Sequence, residues 1–61
     1  MRNWLVYIRK EKNISQGELA KLVGVTQPSM CAIEKGRKTP RPATAQKIAD
    51  ILGFPWTRFY E

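Results

Sequence analysis

Two glutamines and a run of basic residues carry the chemistry visible in this chain. The carboxamide of Gln27 presents a donor beside an acceptor. That pattern matches adenine N6 and N7 in a DNA major groove, a bidentate contact worth about 1–3 kcal/mol of discrimination. Beyond it, Lys35, Arg37, Lys38 and Arg41 stand in KGRKTPR with no acidic residue among them. Such a run neutralises phosphates, an affinity that carries no base information and weakens as salt rises. Ser29 can reach a phosphate or a base edge, while Pro28 and Ala32 offer apolar surface to a thymine methyl group. Gln16, at the start of a helix, can present its side chain and a backbone N–H to a phosphate at the positive helix end. A surface glutamine is more often simply hydrated, and a basic loop simply solvated. Neither feature is diagnostic alone.

The elements that must position these groups read as helices. The first runs from Arg2 or Asn3 to Lys12, with Leu5 and Ile8 inward and Trp4 flanking them. Asn13 tolerates the left-handed backbone that stops it. Ser15 and Glu18 have capping-box spacing, so a second helix covers Gln16 to Val23, with Leu19, Ala20 and Val23 inward and Leu22 beside them. Gly24 supplies the positive φ of a sharp turn, Val25 plugs the corner and Thr26 caps a third helix over residues 27–35. Pro28 fits there, because at the second helical position its missing N–H breaks no intrahelical bond.

Met30 and Ile33 form the buried stripe of that third helix, which leaves Gln27, Pro28, Cys31 and Ala32 largely outward. Gly36 ends it. After the basic loop, Pro42 opens a fourth helix to Leu52, carrying Ala45, Ile48, Ala49 and Leu52 inward, and Gly53 closes it. The tail FPWTRFYE forms one last turn from Pro55. Residues 16–35 therefore read as two short helices around a tight turn, a device that sets the second helix in a major groove.

Length and composition narrow the class. The 61 residues make one domain, 1–61, all-α, and 43% hydrophobic content suffices for a small core. Eleven Lys and Arg against five Asp and Glu give a net charge of +6 and imply an anionic partner. The frequent Gly and Pro break the chain into pieces too short for a membrane-surface helix, and no apolar run approaches a span or a signal peptide. One cysteine allows no internal disulfide, which fits a cytoplasmic location. Without histidine there is no zinc site of the usual kind and no acid–base catalyst of that type. Neither a nucleophile with a plausible base nor a phosphate-binding glycine loop is present, so no enzyme activity, metal, cofactor or small-molecule ligand is expected.

Three features have two readings each. If the first helix packs on the third, the Arg9 guanidinium can hold Glu34 near the end of the reading helix, a scaffold role that outweighs any catalytic one. Cys31 reads as inert, since no resolving partner lies near it in sequence. Phe54, Trp56, Phe59 and Tyr60 must partly cap the core, yet they carry more apolar surface than one last turn usually hides. The surplus suits a homodimer interface.

Taken together, LVYIRKEKN, ISQGELAKLVGV, TQPSMCAIEKGR, the proline-bearing basic loop and ATAQKIADILGF with its aromatic turn resemble the phage repressor and Cro-like (XRE-type) helix-turn-helix family, from Leu5 through Phe59. The resemblance implies a compact five-helix, lambda-repressor-like domain that binds double-stranded DNA sequence-specifically. It further implies transcriptional regulation, chiefly repression, by a homodimer on a two-fold symmetric operator in a bacterial or phage-infected cell. Position by position, Gln16 falls where the family contacts a phosphate and braces the residue that is Gln27 here. Gln27, Pro28 and Ala32 fall at base-reading positions, Ser29, Lys35, Arg37 and Arg41 at backbone contacts, and Arg9 with Glu34 at a structural ion pair. Pro28 and Ala32 have no hydrogen-bonding side chain, so DNA shape and phosphate contacts carry more of the specificity. The alternative from another class is a protein-interaction module, an antitoxin or anti-regulator that grips its partner with the aromatic face.

Overall fold

Helix caps written into the sequence divide the chain. In the computed structural model, which describes residues 1–61, four α-helices are α1 (Asn3–Glu11), α2 (Gln16–Val23), α3 (Gln27–Glu34) and α4 (Pro42–Leu52). Asn13 turns the chain out of α1 with φ 57°, as a short polar side chain permits. At α2 the Ser15 hydroxyl accepts from the Glu18 N–H, and the Glu18 carboxylate accepts from the Ser15 N–H, both at 3.0 Å. Gly24, at φ 89°, closes α2 and lets its own N–H and that of Val25 donate to the Ala20 carbonyl. The Thr26 hydroxyl then accepts from the Ser29 N–H at 3.2 Å, and Pro28 sits in the first turn of α3.

These helices bury one stripe each against a common centre. Leu5, Leu19, Met30, Ile33, Ile48 and Leu52 are fully enclosed, and Ala20 and Ala45 allow close approach where larger side chains would hold helices apart. Helix α3 packs on α1 and α2, while α4 packs on α2 and on the C-terminal turn. No helix is long and apolar enough to cross a membrane.

Four expectations change. The fifth element, Trp56–Tyr60, is a 3-10 helix. It follows Pro55, which supplies no side-chain cap, and it closes i→i+3 bonds from Arg58 to Pro55 and from Glu61 to Arg58. Leu22 is 62% exposed. At 100° per residue it lies roughly 100° from the centre of the Leu19, Ala20 and Val23 stripe and so misses the core. Ile8 is only half-buried while Arg9, four positions after Leu5, is buried. Cys31 and Ala32 are half-buried, and the Arg37 and Lys38 N–H groups of the loop after α3 donate to the Ala32 carbonyl.

Candidate nucleic-acid interface

The exposed first turn of α3 begins with Gln27 and Pro28. Gln27 leans across the start of α2, where Gly17 has no side chain to exclude it; a β-carbon at Gly17 would stand 3.3 Å from Gln27 Oε1. Both residues border a shallow open cleft with Ser15, Glu18, Lys21 and Val25. The first-turn N–H groups of α2, those of Gln16 and Gly17, have no intrahelical acceptor and sit at the positive helix end. The Gln16 side chain is occupied elsewhere. Its Nε2 donates to Glu34 Oε1 at 2.9 Å, so it braces the end of α3 and not Gln27.

Glu34 is the hub of a buried network. Arg9 Nε donates to Glu34 Oε2 at 2.6 Å and Nη2 to Oε1 at 3.4 Å, while Arg9 Nη1 donates to the Ile14 carbonyl at 2.9 Å. The two side chains are 10% and 3% exposed, and no buried side-chain nitrogen or oxygen in the chain is left without a partner. Charge-assisted bonds of this kind are short and directional. They tie the C-terminal end of α3 to α1 and to the first residue of α2, which fixes how far the opposite end of α3 projects.

Past Glu34, the side chains of Lys35, Arg37, Lys38 and Arg41 are exposed. Lys38 Nζ donates to Ser29 Oγ at 3.0 Å, which brings the basic loop beside the first turn of α3. Lys38, Arg41 and Thr44 line one side of a cleft whose other side includes Ser29 and Val25. Pro40 anchors the loop, being buried and accepting from the Tyr60 hydroxyl at 2.7 Å. Two residues that hold this loop, Arg2 and Tyr60, escape a reading of the sequence for this purpose. Arg2 carried one signal: a cation just ahead of a helix faces the positive end of its dipole and must find acceptors elsewhere.

The aromatic face is smaller than its sequence suggests. Phe59 is 5% exposed and belongs to the core, in contact with Trp4 and Phe54 at ring-centroid distances of 5.4 and 5.5 Å. Phe54 is half-buried and meets Trp4 edge-on at 5.1 Å, and the Arg58 guanidinium covers the Trp4 ring at 4.5 Å. Phe59 therefore cannot serve as an interface residue. Trp56, half-buried, and Tyr60, exposed, remain as an edge-to-face pair 5.8 Å apart.

Two short helices hinged at a left-handed glycine, the second with a capped and exposed first turn flanked by a basic loop, define a helix-turn-helix. A family model described as Helix-turn-helix matches residues 5–59, and the chain belongs to that family, among the phage repressor and Cro-like (XRE-type) DNA-binding transcriptional regulators. It is 39% identical over 61 residues, 100% of this chain and 80% of the relative, to the uncharacterized HTH-type transcriptional regulator YqaF of Bacillus subtilis. The cryptic phage CTXphi transcriptional repressor RstR of Vibrio cholerae is 35% identical over 48 residues, 79% of this chain and 43% of its own length. The antitoxin HigA1 of Mycobacterium tuberculosis is 40% identical over 48 residues, 79% of this chain and 32% of its own. No solved structure matches the chain.

Proposed function

We propose that residues 1–61 act as one domain that binds double-stranded DNA sequence-specifically, with α3 in the major groove, as a homodimeric cytoplasmic repressor. The observation that carries this reading is the bond from Lys38 to Ser29, which sets a basic loop against the exposed first turn of α3. In this reading Gln27 pairs with a base, and Pro28 and Ala32 give apolar contacts. Phosphates are met by Ser29, Lys35, Arg37, Lys38 and Arg41, and by Gln16 through its backbone N–H, since its side chain is committed to Glu34. A repressing role is favoured by the likeness to RstR, itself named a repressor.

Size supports two copies. The principal extents are 25 × 21 × 21 Å, whereas successive major-groove faces lie about 34 Å apart, so one copy reads one half-site. Trp56 and Tyr60, with the exposed edge of Phe54, form the proposed dimer contact. Selection from a random duplex pool tests the whole reading. It should return a two-fold symmetric motif, and failure to enrich any motif would sink it. Within that motif, Gln27→Ala should relax preference at one base pair by about 1–3 kcal/mol, whereas Lys38→Ala should weaken all duplexes alike. These are read from binding isotherms on matched and mismatched duplexes.

A second reading rests on the likeness to HigA1: an antitoxin that grips a protein through Trp56 and Tyr60. An aromatic contact predicts affinity that barely changes with salt.

A further inference from the structure

One of the residues that hold the basic loop lies far from it in sequence. Arg2 Nη1 donates to the Ile33 carbonyl at 2.7 Å and to the Lys38 carbonyl at 3.0 Å, and Nη2 donates to Thr39 Oγ1 at 3.2 Å. Its backbone N–H donates to the Glu34 carbonyl at 2.8 Å, and its guanidinium lies 5.5 Å from the centroid of the Phe59 ring. One side chain thereby joins the start of α1, the end of α3, the loop and the C-terminal turn.

Each contact has a physical reason. The last carbonyls of α3 lack intrahelical donors and carry the negative end of the helix dipole, so a cation there is favoured. A planar guanidinium with several fixed donors can serve three separate acceptors while its face rests on an aromatic ring. The loop needs such a restraint. Lys35, Arg37, Lys38 and Arg41 repel one another, and Gly36, at φ 78°, adds no stiffness of its own. A loop left free must be ordered when it meets DNA, and that ordering subtracts from affinity.

We propose that Arg2 is a positioning residue: it preorganises the loop 35–41 for phosphate contact without touching DNA itself. The proposal rests on the DNA-binding reading above. Arg2→Lys tests it by keeping the charge and removing the fork. Thr39→Val, which removes one exposed loop acceptor and leaves the bonds from Arg2 to the Ile33 and Lys38 carbonyls, is the companion variant that does not disturb the core. Circular dichroism first establishes the temperature at which both are folded. Amide hydrogen exchange at Arg37 and Lys38, whose N–H groups donate to the Ala32 carbonyl at 2.9 and 3.3 Å, then reports loop order without DNA.

Both variants should exchange faster at these amides. Arg2→Lys should bind every duplex about fivefold more weakly, a loss typical of one or two side chains left to be ordered on binding. The slope of log affinity against log salt should stay at the wild-type value. In Arg2→Gln, which removes the charge as well as the fork, a slope shallower by about 1 would mean that Arg2 contacts a phosphate directly, and would overturn the proposal. Wild-type affinity in folded Arg2→Lys would overturn it too, while leaving the DNA-binding reading intact. A wild-type protein that binds no duplex would overturn both.

Discussion

Arg9 and Glu34 join α3 to α1 through a buried ion pair, and that burial makes them unforgiving. The carboxylate of Glu34 accepts from Arg9 and Gln16 and is 3% exposed. Arg9→Ala therefore strands a charge beneath the helices, a loss of about 3–5 kcal/mol, large against the margin of so small a domain. The double variant Arg9→Met, Glu34→Leu should recover most of that loss, because filling the site with apolar volume removes the stranded charge. Urea midpoints of the two variants decide it. A double variant no more stable than Arg9→Ala would show that packing, and not charge, sets the cost. The ion pair was legible in the sequence from the expected packing of the first helix on the third and from the family resemblance, whereas the stripe that buries Arg9 was not, since the spacing predicts Leu5 and Ile8 as the inward pair. The bond from Gln16 to Glu34 was not, since its choice of Glu34 over Gln27 turns on where the start of α2 lies relative to the end of α3. Arg2 was nearly as opaque: its place ahead of α1 says that it must find acceptors, but these are carbonyls and a hydroxyl, and carbonyls leave no mark in side-chain patterns.

Helix α2 shows how strongly local capping decides an element, and it carries the pH dependence. Glu18 accepts from the Ser15 N–H, and that bond to the charged form holds its carboxyl below the usual carboxylate range. A folded-state pKa below the unfolded one gives stability that is fully present above the unfolded value and lost as pH falls through the folded value. Glu18→Gln keeps a side chain able to accept from Ser15 but does not ionise. The wild type should consequently melt at a higher temperature than this variant at neutral pH. The gap should close in acid once Glu18 is protonated, as followed by circular dichroism across pH. A gap constant down to full protonation would remove the role of ionisation. Caps of this kind involve residues three apart, which is why the start of α2 could be read from residue types alone; α4 has no side-chain cap, and its bounds are legible from Pro42 at its first position and Gly53 after its last. The C-terminal 3-10 turn was harder. Its geometry is set by how Phe59 reaches Trp4 and Phe54 across the molecule, not by its own five residues.

Charge is the property of the whole molecule that the sequence states outright, whereas the partition of its aromatic rings between core and surface had to be seen. A hydrophobic surplus does not say which ring is buried, so Phe59 and Tyr60 looked alike until one was enclosed and the other left 46% exposed. The net charge of +6 is spread, but four basic side chains are gathered in residues 35–41 beside α3. If each neutralises one phosphate, log affinity falls with log salt at a slope of roughly −0.9 per contact. One copy on DNA would then lose about 10²-fold between 50 and 200 mM salt, and two copies on a two-fold site about 10⁴-fold. Measured isotherms over that range thus count protomers as well as test DNA binding. The proposed dimer predicts the steeper slope. Truncating Trp56 to alanine should lower it toward the single-copy value at low protein concentration, with little change in the affinity of each half-site. A wild-type slope already at the single-copy value would place one domain on each site and assign Trp56 and Tyr60 to another partner.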